Sequence, residues 1–246
     1  MRASNLPFTN TLIRAILYFS GALSIVLVIA WPGYTSYVEA RHLAHIAEHA
    51  THLDLMAQQL GQESFQAGIV VKLLAGFPLS QQALTPGPKQ QQARADLAGQ
   101  FARFANSFSM FSQLRVIDKY GKEVVRVNHT DGQIVNVPPE QLQNKADRDY
   151  VQITSQLNGY ELYVSSVDLN QEHGTIEHPY NATQRFGTPI LDGQGQLIGM
   201  IIANLDIQSI INRIKGHTLQ HGHEPVELSI LNKYGYWLSA DNPELT

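Results

Sequence analysis

The 246-residue chain contains ten histidines, and four of them, His42, His45, His49 and His52, recur at spacings of three, four and three. Side chains so spaced share one side of an α-helix. A pair such as His45 and His49 could ligate a transition metal, and the stripe could sense acid, because imidazole changes charge between about pH 5 and 8. The plainer expectation is a solvated helix flank. His217, His221 and His223 form a second group (HTLQHGH), in which an i, i+4 pair and a third ligand are conceivable. No carboxylate stands at a fixed place beside them. The reading is therefore no metal and no cofactor, with His217, His221 and His223 as the candidates should a metal bind.

Catalytic signatures are absent: the sequence has no G-x-S-x-G elbow, no H-E-x-x-H and no Walker loop. Gly193-Gln194-Gly195, with Gly199 following, has a trace of a dinucleotide fingerprint. It lies in a tight hairpin between strands and lacks the helix that such a site requires. No catalytic residue is expected. The formal net charge is −4, and Lys and Arg are scattered, so no basic face for nucleic acid is formed. Without cysteine there is neither a disulfide framework nor a thiolate metal site, and stability must come from an ordinary hydrophobic core.

The elements that would position these residues begin with an anchor. No charge lies between Arg14 and Glu39, and Ala15 to Trp31 is almost wholly apolar, close to the ~20 residues that a bilayer core requires. Residues 15–35 are read as a transmembrane helix. Arg2 and Arg14 on one flank, against Arg41 offset by Glu39 on the other, place residues 1–14 in the cytoplasm. A cleaved signal peptide is the competing reading, since Val28-Ile29-Ala30 resembles a cleavage site. Either way residues 40–246 are exported, leaving a cell-membrane protein with its bulk periplasmic or extracellular.

Residues 37–84 then read as one long helix. Leu43, Ile46, Ala50, Leu53, Ala57 and Leu60 alternate three- and four-residue steps, a period of 3.5 that favours supercoiling with a second helix. A parallel homodimer is the expected outcome, and packing along the chain's own domain is the alternative. Gly76, Pro78 and the Thr85–Gln92 run break the helix. A second helix carries Leu97, Phe101, Phe104, Phe108 and Phe111 on one stripe, which predicts burial.

After Ser112 the period changes to two. Gln113–Asp118, the turn Lys119-Tyr120-Gly121 and Glu123–Asn128 predict a hairpin. A short helix is expected over Ala146–Leu157, and strands over Glu161–Asp168, Arg185–Leu191 and Leu197–Asp206. About five strands with flanking helices predict an α+β antiparallel sheet, one domain over residues 93–216. Ile117-Asp118-Lys119-Tyr120-Gly121 returns as Leu231-Asn232-Lys233-Tyr234-Gly235, so residues 224–246 are read as the start of a second, similar domain in a chain that is a fragment.

The runs QLRVIDKYGKEVVRVN, LQNKADRDY, GYELYVSSVDLNQEHGTIEHP and QRFGTPILDGQGQLIGMIIANLD together resemble the extracytoplasmic double Cache (PDC, PAS-like) sensor domains of bacterial sensor histidine kinases and diguanylate cyclases. The resemblance covers residues 40–246. It implies two stacked PAS-like sheets on a long helix, a parallel dimer and a small-molecule ligand in the membrane-distal sheet. It also implies that Arg148 and Tyr150 of ADRDY, Tyr163, Ser165 and Arg185 line the pocket. An Arg fork with Tyr and Ser hydroxyls suits a small, carboxylate-bearing anion. Tyr163 and Ser165 share a strand face; Arg126, on the face of Val124 and Asn128, and Asn204 and Asp206, at the end of the last strand, are further candidates. With no phosphoacceptor box and no GGDEF motif, any kinase or cyclase activity would belong to a further C-terminal part. The function expected is the ligand-sensing input of a membrane-bound sensor histidine kinase. The alternatives are the input of a diguanylate cyclase or chemoreceptor, and a membrane-anchored periplasmic protein-binding module without a small ligand.

Overall fold

The computed structural model describes residues 6–130, 132–172, 175–176, 181–220, 230–232, 235 and 237–239. Helix α1 runs over Leu6–Gly76, α2 over Pro78–Leu84 and α3 over Gln90–Ser107. Strands β1 (Phe111–Asp118), β2 (Glu123–Thr130) and β3 (Gln133–Asn136) follow, then helix α4 (Asp149–Ser155). After it come the short strands β4 (Tyr163–Val164), β5 (Asp168–Leu169), β6 (Gln171–Glu172) and β7 (Thr175–Ile176). Two long strands, β8 (Ala182–Leu191) and β9 (Leu197–Asp206), lead into α5 (Ile207–Gln220). The last pair is β10 (Ile230–Leu231) and β11 (Trp237–Ser239). The chain divides into two compact units at Ala57/Gln58.

The first unit is the part of α1 up to Ala57. It is long and apolar enough to cross a bilayer, and none of its apolar stretch is buried. Its Ile16, Leu17, Phe19, Val28 and Trp31 are all exposed. In hydrocarbon every polar group needs an internal partner. The Oγ atoms of Ser20 and Ser24 accordingly donate to the carbonyls of Leu17 (3.0 Å) and Ser20 (2.8 Å), and Thr35 Oγ1 donates to Pro32 O (3.0 Å). Leu43, Ile46 and Leu53 of the expected seam are also exposed.

The second unit is built on one antiparallel sheet of order β3-β2-β1-β9-β8-β4, with β5 also on β8. Seven strands therefore stand where about five are expected, because the run Glu161–Asp168 yields two short strands rather than one and Gln133–Asn136 adds β3 at the sheet's edge. Strand alternation divides the sheet cleanly. Leu114, Val116, Val125, Val127, Phe186, Ile190, Ile201, Ala203 and Leu205 face a core closed by Ala67, Val70, Val71 and Leu74 of α1, Ala83 and Leu84 of α2, and α3. Leu60, the last residue of the expected dimer seam, also packs against this core, so in this unit that side of the helix is occupied by its own domain.

Two local sequences shape the helical layer. Phe77 is extended (φ −71°, ψ 136°) because the residue before a proline is disfavoured from the α region, and Pro78 then opens α2. The break expected at Gly76 and Pro78 falls there, and the segment assigned to residues 37–84 is the end of α1 followed by α2. The buried stripe of α3 is Ala93, Leu97, Phe101 and Ala105. The phenylalanine stripe runs past the helix end: Phe108 is its exposed cap, stacked on Phe104 at 5.9 Å, while Phe111 belongs to β1. Truncating Phe101, which is fully buried, is expected to cost about 3–5 kcal/mol, readable as a fall in unfolding temperature.

Two hairpins at one end of the sheet share a loop design. Asp118 Oδ1 accepts the backbone N–H groups of Tyr120 and Lys122, and Asp192 Oδ1 accepts those of Gln194 and Gln196, all at 2.9 Å. Each loop closes on a glycine with positive φ, Gly121 (86°) and Gly195 (77°), a conformation that costs glycine little. The β10/β11 hairpin repeats the first. Val116 pairs Val125 and Ile117 pairs Glu123 across a bulge; Ile230 pairs Ser239 and Leu231 pairs Trp237 across an equivalent one. Every member of the second set lies 114 residues after its counterpart, as does Gly235 (φ 84°) after Gly121.

Candidate functional site

The second face of the sheet is polar at its centre. From β1 it presents Gln113, Arg115 and Ile117; from β2, Arg126; from β9, Met200, Ile202 and Asn204; from β8, Arg185 and Gly187. Helix α4 lies over this face. Its start is set by Arg148, an extended residue (φ −85°, ψ 133°) before the first turn, and it buries Tyr150, Val151 and Thr154. Tyr150 and Val151 join Ile117, Met200 and Ile202 in a small apolar cluster, with Tyr163 packed at its side. The approach is close at Gly187, where a Cβ would overlap Thr154 Oγ1.

Beside that cluster lies a buried hydrogen-bond network. Arg115, 2% exposed, donates from Nη2 to Asn204 Oδ1 (2.7 Å) and from Nη1 to the Tyr150 hydroxyl and Glu123 Oε1 (both 3.5 Å). Asn204 Nδ2 donates in turn to Gln113 Oε1 (3.0 Å) and Asn170 Oδ1 (3.5 Å). Arg185 Nη2 reaches the same Asn170 Oδ1 at 3.0 Å. The guanidinium carbons of Arg115 and Arg185 stand 5.7 and 5.6 Å from the centroid of the Tyr150 ring, within cation–π range. Glu123, wholly buried, takes the Gln143 N–H at 3.0 Å and lies 3.8 Å from Arg126 Nη1.

Two guanidiniums, Arg115 and Arg185, are thus buried at the Tyr150 ring, and the buried carboxylate of Glu123 lies beside Arg115. Burial, and then the neighbouring Arg115, hold the Arg185 guanidinium below its usual pKa. Burial pushes the Tyr163 phenol above its ordinary value, an effect that Arg185 partly offsets. Among the described residues, Arg115 Nε is buried without an acceptor. A buried N–H left unpaired costs about 1–3 kcal/mol, and more on a charged group.

Of the residues expected at a site, the structure brings Tyr150, Tyr163, Arg185, Asn204 and Arg126 to this face. Arg148 stays at its rim, donating from Nη2 to Gln171 Oε1 (3.3 Å). Ser165 Oγ is used locally: it donates to Ser166 O (2.6 Å) and accepts the Arg185 N–H (2.9 Å), so it positions β8. Asp206 has a different role from the one expected. Its carboxylate accepts the N–H (2.9 Å) and hydroxyl (2.7 Å) of Ser209 and caps α5. Asp206→Ala is therefore expected to cost about 1 kcal/mol of stability in thermal unfolding. His221 and His223 lie outside the described residues, and of His217 only the backbone, in α5, is described.

Sequence reasoning missed Arg115, Glu123, Gln113 and Asn170. One signal was available for Arg115. In QLRVID both alternating sets, Gln113-Arg115-Ile117 and Leu114-Val116, lie in a strand between two other strands, so a charge there must be buried and needs partners.

A family model described as the sensor domain of bacterial histidine kinases matches residues 49–246. It covers a sensor domain and no catalytic domain. No curated protein matches the sequence. Among solved structures, the extracellular domain of vpHK1S-Z8, described as a candidate histidine kinase, aligns with TM-score 0.70 at 16% identity over 80% of this chain and 68% of that one. The sensor domain of the V. cholerae histidine kinase DctB aligns with TM-score 0.59 at 12% identity, over 83% and 70% of the two chains. The ligand-binding domain of the Campylobacter jejuni chemoreceptor Tlp3, solved with L-valine, gives 0.54 at 12% identity, over 79% and 70%. At these identities the likeness is one of fold.

Proposed function

This chain belongs to the family of bacterial histidine kinase sensor domains, and from that premise we propose that it is the extracytoplasmic input of a membrane-bound kinase that takes a small carboxylate-bearing molecule on the polar face of its sheet. The observation that carries the reading is the pair of buried guanidiniums, Arg115 and Arg185, at the Tyr150 ring, with the Arg115 Nε–H lacking an acceptor among the described residues. A carboxylate between Arg115 and Arg185 supplies that acceptor and offsets the repulsion between the two guanidiniums. Tyr150 of α4, whose hydroxyl meets Arg115, and Tyr163 of β4, packed beside it, orient it. Arg148, at the rim beside Gln171, closes the entrance.

The matched bulge and glycine of β10/β11, 114 residues after those of β1/β2, support a second domain of the same kind starting near residue 224. The exposed Leu43, Ile46 and Leu53 support pairing of two α1 helices outside the membrane as the route by which ligand binding reaches the bilayer.

The test is a thermal-shift screen of small mono- and dicarboxylates and amino acids on the whole chain in detergent. A ligand present at a hundred times its Kd stabilises by about 2.7 kcal/mol, which raises the midpoint by roughly 5–10 °C in a unit of this size. Arg115→Met and Arg185→Met should each abolish the shift. Silence across the library, or a shift that both variants retain, counts against the proposal.

A further inference from the structure

The histidine stripe takes no part in the function proposed above. Within it, His45 and His49 differ from the rest: they are four residues apart, and their imidazoles stack with centroids 4.9 Å apart and planes inclined by 14°. His45 is exposed and His49 only half-buried, so the rings sit side by side on an open helix surface. The geometry points to a two-histidine clip for a divalent transition metal, Cu²⁺, Ni²⁺ or Zn²⁺, on the part of α1 that follows the apolar span.

Two histidines at i and i+4 on one helical face form the arrangement that helical zinc sites use. Metal–nitrogen bonds of about 2.0–2.1 Å require the two rings to turn out of their stack until one nitrogen of each points at the ion, a side-chain rotation on an open helix surface. Imidazole suits copper, nickel and zinc, and the general order of affinities favours Cu²⁺. Among the described residues no three His, Cys, Asp or Glu side chains are grouped to hold a metal. Water completes the coordination, and the ion binds reversibly. His42 and His52, three residues outside the pair on each side, are neighbours on the stripe and not ligands. The bound ion links residues 45 and 49 through their side chains as well as through the helix hydrogen bond, and so stiffens that turn.

Equilibrium dialysis of the tag-free whole chain in detergent against CuSO₄ and ZnCl₂ tests this. All measurements are made in a His217→Ala/His221→Ala/His223→Ala background, which removes the other histidine group. One ion per chain is expected. His45→Ala and His49→Ala each weaken binding by about tenfold or more, since each converts a chelate into a single ligand, whereas His42→Ala and His52→Ala change it by less than about threefold. Zn²⁺ should also slow amide exchange over residues 45–53 in the background protein and leave it unchanged in the His45→Ala/His49→Ala variant. The clip is overturned if that variant binds as tightly as the background, or if the background binds no ion at millimolar metal.

Discussion

Replacing Glu123 by alanine is expected to lower stability by about 3–5 kcal/mol, roughly a 10 °C fall in the unfolding midpoint. The carboxylate is wholly buried, within 3.5 Å of Arg115 and 3.8 Å of Arg126, guanidiniums that are themselves 2% and 6% exposed. Truncation leaves both cations in a low-dielectric site and also strips the Gln143 N–H of its acceptor. Glu123→Gln keeps an acceptor while losing the charge, and should cost less. The informative comparison is Glu123→Ala with Arg115→Met. If charge imbalance dominates, removing Arg115 as well restores part of the loss, and the two substitutions are coupled by more than about 0.5 kcal/mol. Additive losses would mean that Glu123 serves mainly to hold the segment around Gln143. Arg115→Met removes an unpaired donor and a repulsive charge but also takes a donor from Glu123, Tyr150 and Asn204, so it too should lose stability. Its loss of the carboxylate is read as a missing ligand-induced shift relative to its own lowered midpoint.

That network was the least legible feature of the sequence. Arg115 meets Glu123, Tyr150 and Asn204 at separations of 8, 35 and 89 residues, and no local pattern foreshadows such a meeting. Elements written in local chemistry were easy to read. The apolar span needs only length and hydropathy, and the β8/β9 hairpin is announced by Asp192-Gly193-Gln194-Gly195 between alternating strands. Readings that relied on periodicity alone went astray where a period outlasts its element. Phe108 and Phe111 continue the spacing of α3, yet the helix has ended and the latter lies in a strand. Leu60 continues the spacing of Leu43 and Leu53, yet it faces its own domain. A 3.5-residue pattern says that a face is apolar and is silent on what covers it. Asp206 shows the same limit for polar residues: at the junction of a strand and a helix, a cap and a pocket group look alike until Ser209 is seen to take both oxygens.

Gly187→Val should remove ligand binding without unfolding the sheet. At this position β8 runs beneath α4 so closely that a Cβ would overlap Thr154 Oγ1 and come within 2.8 Å of Ile202 Cδ1. Thr154 is wholly buried and its hydroxyl donates to Tyr150 O at 2.6 Å, so it cannot swing clear. The helix must lift instead. Overpacking of this kind costs about 1–3 kcal/mol, and the opposite face of the sheet, with most of the hydrophobic core, is untouched. Lifting α4 withdraws the Tyr150 ring from Arg115 and Arg185 and admits water to the guanidiniums, which weakens their hold on an anion. Gly187→Ala should act in the same direction with a smaller loss. Adding Thr154→Ala removes Oγ1 and Cγ2, two of the three atoms that a Cβ would strike, and leaves the terminal Ile202 Cδ1, so the double variant should be more stable than Gly187→Ala alone and should regain ligand-dependent stabilisation. If Gly187→Val binds as the natural sequence does, the position of α4 is irrelevant to the site, and the ligand must lie away from Tyr150.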